Sequence, residues 1–297
     1  ILYPNDDSYQ GKELRLKQQY FFSSASVQYA VSDFLKVYGP NWSIFPDKVA
    51  IHINDTHPAV AIPELMRVLM DEHDLGWDEA EDICRRTFAY TNHTVLQEAL
   101  ERWPESLFAE TLPRIYMILQ EMNRRLCEKL WKSYPGQWER IGHMAILGYN
   151  QAHMANLCVA YAHSVNGVSA IHTDILKKQT FHDFYILEPQ KFVSITNGIT
   201  HRRWLIQCNP GLSSLIDEAI GDGWRKDMDQ LIRLKSFADD AAFREKFAKI
   251  KAENKLRLAE HVRRQQGIEM NPDSLFDAQA KRLHEYKRQL MNALGIL

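Results

Sequence analysis

Apolar runs of strand type alternate along this chain with longer segments of helical periodicity. Residues 49–53 are mostly apolar and β-branched, which is typical of a strand buried on both faces of a parallel sheet. A helical pattern covers about residues 13–37 before this run, and another covers about 63–73 after it. The same order recurs with a helix near 77–86 and a short strand over 87–90. This alternation predicts the α/β fold class.

The rest of the chain continues the pattern with longer helices. The spacing of apolar residues predicts helices over about 107–131, 154–163 and 241–264, the last with one apolar face. Strand-like runs are found at 192–195 and 275–280. A turn at Cys208-Asn209-Pro210-Gly211 separates two parts of this series and indicates a boundary, after which a second α/β domain begins.

Composition excludes several classes of function. The formal net charge is -2 and 25% of the residues are charged, which does not fit a protein whose main partner is nucleic acid. The four cysteines are widely spaced and form no zinc or disulfide pattern, so we expect a reducing, cytoplasmic location. No apolar run approaches the ~20 residues that cross a bilayer, and we expect no membrane partner.

Both ends of the chain indicate that it is a piece of a longer protein. It opens at Ile1 without a methionine, and residues 290–297 are mostly apolar without a capping or polar finish. An apolar terminus ordinarily continues into a core. We therefore expect a fragment.

Small polar clusters follow three of the predicted strands. They are Asn54-Asp55-Thr56-His57, Thr91-Asn92-His93-Thr94 and Thr196-Asn197-Gly198. The carboxyl ends of strands in an open parallel sheet line the ligand crevice. Asn and Asp offer acceptors and donors that engage neighbouring hydroxyls, so the clusters indicate a carbohydrate or polyol ligand. The alternative is that these residues serve only as turn and cap residues.

A basic run follows the last predicted strand. It reads Lys281-Arg282-Leu283-His284-Glu285-Tyr286-Lys287-Arg288-Gln289. If the chain turns here from strand into helix, backbone N–H groups and cationic side chains converge on one spot, where a phosphate would be held. The alternative is a solvated basic helix face. The interleaved His284 and Tyr286 favour the anion site.

The twelve histidines show no metal-ligand spacing. His93, His172 and His284 are the candidates for chemistry, because the first two lie beside Asn or Thr groups in expected loops and the third lies in the basic run. The sequence contains no Gly-x-Ser-x-Gly elbow and no Walker-type loop, which weighs against an α/β-hydrolase and a P-loop nucleotidase.

A series of motifs in order along the chain resembles the α-glucan phosphorylases, the family of the glycogen, starch and maltodextrin phosphorylases. The resemblance extends from the first residues to the last. The motifs are Leu2-Tyr3-Pro4-Asn5-Asp6, Gly11-Lys12-Glu13-Leu14-Arg15-Leu16, Asn54-Asp55-Thr56-His57-Pro58, Tyr90-Thr91-Asn92-His93-Thr94, Glu98-Ala99-Leu100-Glu101-Arg102-Trp103, Thr196-Asn197-Gly198-Ile199-Thr200 and the basic run at 281–289.

The resemblance implies a glycosyltransferase-B-type fold of two Rossmann-like domains, each only partly present here. Residues 1–205 would be the C-terminal portion of the first, glucan-side domain, and residues 206–297 the beginning of the second, cofactor-side domain. The implied reaction is phosphorolysis of α-1,4-glucan by inorganic phosphate to glucose 1-phosphate with retained configuration. The implied cofactor is pyridoxal phosphate, whose 5′-phosphate exchanges a proton with the substrate phosphate. The parent protein is expected to be a homodimer.

The family's roles transfer onto matching positions of this sequence. The catalytic set would be His93 and Asn197 for the reacting glucosyl unit and Arg282 and Lys287 for phosphate. The substrate-binding set would be Asp7, Asp55, His284 and Tyr286, and the cofactor-binding set would be Lys281, Trp204 and Asn197.

Two departures and one absence accompany the resemblance. Asp7 stands where the family usually has Asn in an active-site gate, which could alter sugar contact or gating. His201 stands where Pro usually follows Asn-Gly-Ile-Thr, and we expect only a change in backbone stiffness there. The family attaches its cofactor to a Lys in a Gly-rich segment farther along, and no segment of this sequence matches it. We therefore expect the chain alone to be inactive.

Two other functions stay open at this point. The chain would be a glucan- or phosphate-binding module without turnover if it acts on its own. A glycosyltransferase that uses a sugar nucleotide would share the fold class, but the basic run at 281–289 disfavours it.

Overall fold

The structure is a computed structural model of the 297-residue chain and describes residues 7–283 and 287–297. His284 and Tyr286 of the predicted site lie outside the described residues. Contacts divide the chain into two compact units, residues 1–197 and residues 198–297. The assignment of residues 1–205 and 206–297 to parts of two Rossmann-like domains stays a prediction.

The first unit is rich in helices, and several of them match the predicted periodic segments. The longest of them begins after Ser8, whose Oγ accepts a hydrogen bond from the Gly11 N–H at 3.1 Å, and ends at Gly39, whose φ of 61° favours glycine. The helices are α1 (Tyr9–Tyr38), α2 (Phe45–Lys48), α3 (Ala61–Arg67), α4 (Trp77–Thr87), α5 (Glu105–Thr111), α6 (Pro113–Ser133), α7 (Trp138–Met144), α8 (Met154–Tyr161), α9 (Ala170–Ile175) and α10 (His182–Leu187).

The strands form two sheets. In chain order they are β1 (Ile51–Asn54), β2 (Phe88–Thr91), β3 (Arg102–Pro104), β4 (Leu147–Gly148), β5 (Gln151–His153), β6 (Ser164–Gly167) and β7 (Phe192–Ser194). The main sheet has the order β1-β2-β6-β7 with every neighbouring pair parallel, and a small antiparallel sheet has the order β3-β5-β4. The predicted α/β class is confirmed.

The parallel arrangement brings the carboxyl ends of the four main strands to one edge. Asn54 of β1 pairs with Thr91 of β2, and Thr91 pairs with Asn166 of β6. This row of polar residues follows buried apolar positions such as Ile53 and Tyr90. The edge is therefore where polar strand-end residues collect, as the sequence predicts.

Helix α8 shows how the core is held. All eight of its residues are buried, as expected of a helix that is apolar on every side. Its last carbonyls are bound by cations, since an Arg85 guanidinium nitrogen donates to the Ala160 oxygen at 2.7 Å and Lys191 Nζ to the Val159 oxygen at 3.3 Å. These contacts satisfy helix-end acceptors that would otherwise be buried without partners.

The first unit also departs from the sequence prediction. The helix predicted over 107–131 is two helices, α5 and α6, because Pro113 lacks an N–H and Leu112 before it has a non-helical φ of -135°. Strand β6 was not predicted, since Val165 is its only large apolar residue. The small sheet of β3, β4 and β5 was also missed, because its strands have only two or three residues each.

The second unit is helical in the part that the structure describes. It contains α11 (Pro210–Ile220), α12 (Ala241–Gln266) and α13 (Gln289–Ile296), with a 3₁₀ segment over Met228–Phe237. A small cluster forms where Ile216, Ile220 and the buried Trp224 pack together. The Trp224 indole N–H donates to Asp217 Oδ1 at 2.9 Å.

One prediction for this unit is wrong and another is confirmed. Residues 275–280 form no strand, and Leu275 is 94% exposed. A strand requires a partner backbone, and residues 198–283 and 287–297 contain none in extended pairing. The helix predicted over 241–264 is confirmed as α12, but none of its residues is fully buried. Among the described residues, no helix is long and apolar enough to span a membrane.

Candidate functional site

A hydrogen-bonded row of side chains crosses the carboxyl edge of the main sheet. Thr91 Oγ1 donates to Asn166 Oδ1 at 2.7 Å, and His52 Nε2 lies 2.5 Å from the same Thr91 oxygen. Because the threonine proton is directed to Asn166, His52 Nε2 must donate to Thr91. Asn166 Nδ2 in turn donates to the Gly167 carbonyl at 3.0 Å. The row links β1, β2 and β6 and fixes the strand ends from which the site is built.

The loop after β2 buries one side chain and exposes the next. Asn92 is fully buried; its Nδ2 donates to the Tyr90 hydroxyl and its Oδ1 accepts from the Thr94 N–H, both at 3.0 Å. The Asn92 side chain thereby closes a turn across the intervening residue. His93 projects outward and its Nε2 lies 2.6 Å from Asn54 Oδ1 at the end of β1. Two of the predicted polar clusters therefore meet directly.

Asp55 adopts an unusual backbone conformation at the end of β1. Its φ is 65°, in the left-handed region that few residues other than glycine, Asn and Asp enter. Its N–H donates to the Thr91 carbonyl at 3.0 Å, and its Oδ1 accepts from the Thr56 N–H at 2.7 Å. Such conformations concentrate at functional sites. The conformation holds Asp55 at the wall of a cavity.

This cavity has a volume of about 270 Å³ and a largely polar wall. Glu101 Oε2 accepts from Arg15 at 3.2 Å and from Gln19 at 3.1 Å, whereas Glu101 Oε1 is enclosed. The Trp103 indole N–H is enclosed as well, and neither atom has a hydrogen-bond partner within residues 7–283 and 287–297. The lining residues are Lys12, Arg15, Asp55, Thr56, His57, Thr94, Ala99, Glu101, Arg102 and Trp103.

One acceptor and one donor of residues that line the cavity thus have no partner in the part of the chain that the structure describes. Both atoms are buried, so they do not form part of the accessible cavity surface. The wall also carries the polar side chains of Lys12, Asp55 and Thr56, and such donors and acceptors suit the hydroxyl groups of a carbohydrate or polyol.

Two of the predicted residues in the first unit lie elsewhere on its surface. Asn197 has an exposed side chain, and its N–H donates to the Val168 carbonyl at 3.1 Å beside the end of β6. Asp7 is exposed in the turn before α1 and is not among the cavity-lining residues. The structure thus places Asp55 in the cavity wall, His93 against Asn54 at the end of β1, and Asn197 beside the end of β6 at the same sheet edge.

His172, a candidate from its sequence neighbours, is buried in the first unit. Its Nδ1 accepts from the Val168 N–H at 3.1 Å. Burial lowers the pKa of His172, and the charge of nearby His93 lowers it further, while the Thr94 backbone opposes the shift. His172 is therefore a neutral neighbour of His93 at neutral pH.

The second unit carries the remaining predicted residues. Trp204 lies in the π-helical segment Arg202–Gln207 and is 68% exposed. Lys281 and Arg282 are exposed and Lys287 is half-buried. The Arg282 carbonyl accepts from Gln289 Nε2 at 2.8 Å, and the Lys287 carbonyl from Gln279 Nε2 at 3.2 Å.

No strand precedes the basic run, since residues 275–280 are described and form none. Among the described residues of the run, Lys281 and Arg282 lie outside any helix, and helix α13 begins at Gln289 after Arg288, whose φ of 59° is left-handed. The convergence of these cationic side chains on a phosphate stays a prediction.

His201 takes part in packing as well as backbone geometry. Its φ of -58° is close to the value that proline enforces, so the backbone there suits the family's usual proline. Its Nε2 lies 3.2 Å from the Arg225 carbonyl, and its ring centroid lies 6.4 Å from that of Trp224. The histidine thus adds contacts that proline could not make.

Sequence reasoning missed part of the site. Glu101 and Trp103 stand in one of the family-like motifs, but no role was assigned to them, since strand β3, which contains Trp103 and directly follows Glu101, was not predicted. Asn166 was missed together with β6. Its signal was the pair Asn166-Gly167 after an apolar residue, the same kind of polar strand end that marked the other clusters.

Comparisons with known proteins agree along the whole chain. Residues 1–297 match the family described as Phosphorylase: Carbohydrate phosphorylase. The glycogen phosphorylase of Bacillus subtilis (strain 168) is 51% identical over 297 residues, which are 100% of this chain and 37% of that protein. The muscle forms of glycogen phosphorylase from Homo sapiens and Oryctolagus cuniculus are each 50% identical over 307 residues, covering 100% of this chain and 36% of theirs. The chain thus spans little more than a third of the length of these relatives.

Proposed function

Because this chain belongs to the carbohydrate phosphorylase family, we propose that it is the part of an α-glucan phosphorylase that holds the reacting sugar and contributes to the phosphate site. The family match over all 297 residues is the observation that carries this proposal. In the reaction, the glycosidic C1–O4 bond breaks and a bond forms between C1 and a phosphate oxygen with retained configuration. A proton from the phosphate passes to O4 of the shortened glucan, and glucose 1-phosphate is released.

The sugar side of the proposal is supported by the first unit. His93 and Asn197 would contact the reacting glucosyl unit, and Asp55 would lie beside it. Exposed polar side chains at the carboxyl edge of a parallel sheet are suited to sugar hydroxyl groups. The polar side chains of Asp55, Thr56 and Arg15 add hydrogen-bonding capacity in the cavity that Asp55 lines.

The phosphate side rests on the basic residues of the second unit. Arg282 and Lys287 would bind the substrate phosphate, since charge-assisted hydrogen bonds from guanidinium and ammonium groups stabilise the charge that develops on it. The motif match also assigns Asp7, His284 and Tyr286 to substrate binding.

Pyridoxal phosphate is the proposed cofactor. The donor set fits a phosphorylated aromatic group, because Lys281 is an exposed cation and Trp204 offers an exposed indole. Lys281, Trp204 and Asn197 would hold it. When bound, its 5′-phosphate supplies a group that exchanges a proton with the substrate phosphate. Lys281 would offset part of the repulsion between the two phosphates.

The setting of the complete protein is also a proposal. We expect a cytoplasmic homodimer that acts on α-1,4-glucan and inorganic phosphate, with residues 1–205 and 206–297 belonging to its two Rossmann-like domains. Nucleic acids and membranes are not among its expected partners, given the net charge of -2.

Activity assays on two proteins test the proposal. The full-length protein that contains this chain should release glucose 1-phosphate from maltoheptaose only when inorganic phosphate is present. The 297-residue chain alone should release none, because the relatives it matches are nearly three times its length. Consumption of a nucleoside diphosphate sugar by the full-length protein, without phosphorolysis, would instead support the sugar-nucleotide glycosyltransferase.

A second candidate function is a glucan-binding module without turnover. It is favoured by one observation, that every residue lining the cavity belongs to the first unit. Calorimetry of the 297-residue chain with maltoheptaose separates the possibilities. Binding heat that disappears in Glu101→Ala supports the module, and the absence of heat at millimolar sugar removes it.

A further inference from the structure

His172 occupies an enclosed position between two loops of the candidate sugar site. Only 8% of its surface is exposed. It lies in the first turn of α9, where Ser169 Oγ accepts from the His172 N–H at 3.1 Å. Its Nδ1 accepts a hydrogen bond from the Val168 N–H at 3.1 Å. Because Nδ1 is an acceptor, the proton of the neutral ring is on Nε2.

The Nε2 side of the ring faces the loop after β2. This atom is enclosed and has no hydrogen-bond partner within the part of the chain that the structure describes. Burial lowers the pKa of His172, His93 lowers it further and the Thr94 backbone raises it, so both of these groups lie near the ring. Because Nδ1 accepts from the Val168 N–H, Nε2 is the ring nitrogen that is left to face the 93–94 loop.

The Nδ1 side of the ring is connected to Asn197 through one residue, Val168. The Val168 N–H donates to His172, and the Val168 carbonyl, which belongs to the next peptide group, accepts from the Asn197 N–H at 3.1 Å. The Gly167 carbonyl, in the same peptide group as the Val168 N–H, accepts from the Ile195 N–H, also at 3.1 Å. The segment after β7 is thus held to the end of β6 and to Val168, and His172 fixes the Gly167–Val168 peptide group between them.

We propose that His172 is a positioning residue that sets the spacing of His93 and Asn197, with Nε2–H directed to the 93–94 loop and Nδ1 fixing the Val168 peptide. The purpose assigned to this spacing, recognition of the glucosyl unit, rests on the proposed function. The ring touches no reacting atom in this role. It links the first turn of α9 to two exposed side chains.

The chemistry of the position argues against simple filling of space. A buried N–H without a full partner weakens a fold, whereas an aromatic hydrocarbon ring of similar size would not. What a histidine adds is an acceptor and a donor on opposite sides of one rigid ring.

Three substitutions separate the two sides of the ring. His172→Asn keeps an acceptor near the Nδ1 position but is too short to place a donor at the Nε2 position. His172→Gln keeps a donor near the Nε2 position and loses the Nδ1 acceptor. His172→Phe keeps the ring volume and loses both. His153→Phe, at another largely enclosed histidine of the same unit, is the matched control.

Amide hydrogen exchange of the 297-residue chain, measured by NMR, provides the readouts. The Asn197 N–H reports the Val168 side, and the Thr94 N–H, which donates to Asn92 Oδ1, reports the other loop. We expect faster exchange at Thr94 in His172→Asn, at Asn197 in His172→Gln, and at both in His172→Phe. The expected factor is about threefold to tenfold, equivalent to one net hydrogen bond.

Several results would overturn the proposal. The first is that the Thr94 and Asn197 amides of His172→Phe exchange at the wild-type rate. The second is that His153→Phe accelerates their exchange as much as His172→Phe does. The third is that His172→Asn and His172→Gln change the two exchange rates in the same way. If the Phe variant fails to fold, long-range ¹H–¹⁵N spectra of the wild type decide, since a proton on Nδ1 contradicts the assigned tautomer. These readouts need no sugar. Absence of phosphorolysis in the full-length protein would therefore refute the proposed function and leave the positioning role standing.

Discussion

Replacing the buried Glu64 should destabilise the first unit more than any exposed charge change on the same helices. The Glu64 side chain is fully buried between α3 and α1. Its oxygens accept from Tyr20 Oη at 3.0 Å, from Ser24 Oγ at 2.7 Å, and from Nε and a terminal nitrogen of Arg67, each at 2.8 Å. Helix α1 also carries Lys12 and Arg15 to the cavity wall, so this contact supports the candidate site as well as the fold.

The expected effect of Glu64→Gln follows from these contacts. The amide retains the shape but loses the charge and turns a donor group toward other donors. Breaking a buried ion pair by removing one partner costs about 3–5 kcal/mol in free energy of unfolding. Arg67 keeps a second carboxylate, Glu72, at 2.8 Å and is itself 18% exposed. We therefore expect about 3 kcal/mol, at the lower end of that range.

The pH dependence of the same contact is a second readout. Burial alone would raise the pKa of Glu64, but the hydrogen bonds from Arg67, Ser24 and Tyr20 outweigh it and lower the pKa. The stabilisation is therefore complete above the unfolded carboxyl value of about 4.3 and is lost as the pH falls through the lower folded value. Glu64→Gln should not show this loss.

Urea unfolding followed by circular dichroism at pH 7 and in the acid range measures both effects. Glu72→Gln is the matched control, because it removes the exposed partner of Arg67 and should change the free energy of unfolding by less than about 1 kcal/mol. Equal unfolding free energies for the Glu64 and Glu72 variants at pH 7 would refute the reasoning. So would an acid dependence that is unchanged in Glu64→Gln.

Three further predictions concern the first unit. Gly167→Ala places a Cβ 2.5 Å from Thr173 Oγ1 and 2.9 Å from its N, so we expect a loss of about 1–3 kcal/mol in urea unfolding, and unchanged stability would contradict this packing. Burial and the charge of Arg102 lower the pKa of His153. The free energy of unfolding is therefore at its full value above pH 6.5, about the unfolded pKa of histidine, and decreases as the pH falls below it. His153→Gln should flatten this pH dependence, and a pH curve identical to that of the wild type would contradict the assignment. Lys191→Met removes an ammonium group that donates to carbonyls at the end of α8. It should lower the midpoint of thermal unfolding and reduce the free energy of unfolding by about 1–3 kcal/mol. An unchanged midpoint would show that the contact does not stabilise the fold.

Much of the fold was predictable where periodicity is strong. The helices α1, α4 and α12 and the strands β1, β2 and β7 lie within a few residues of their predicted ranges. Strand β6 was not predictable in the same way, because its four residues gain strand structure from neighbours on both sides rather than from their own composition. Residues 275–280 show the converse, since a favourable composition forms no strand without a partner.

The candidate site, like the fold, was predictable only in part. The contact of His93 with Asn54 follows from a topological rule, that the ends of parallel strands meet at one edge. The left-handed backbone of Asp55 does not follow from any local pattern. The same is true of the buried polar atoms of Glu101 and Trp103 that have no hydrogen-bond partner among the described residues. They depend on long-range packing that sequence spacing does not encode.

The most direct test of the central claim is a phosphorolysis assay of the full-length protein that contains this chain. The protein is incubated with maltoheptaose, with and without inorganic phosphate, and compared with its His93→Ala variant. The account predicts α-glucose 1-phosphate only when phosphate is present, and a rate lowered by about 100-fold or more in the variant, since His93 would contact the glucosyl unit in the transition state. Undiminished turnover in His93→Ala, or free glucose released without phosphate, would contradict it.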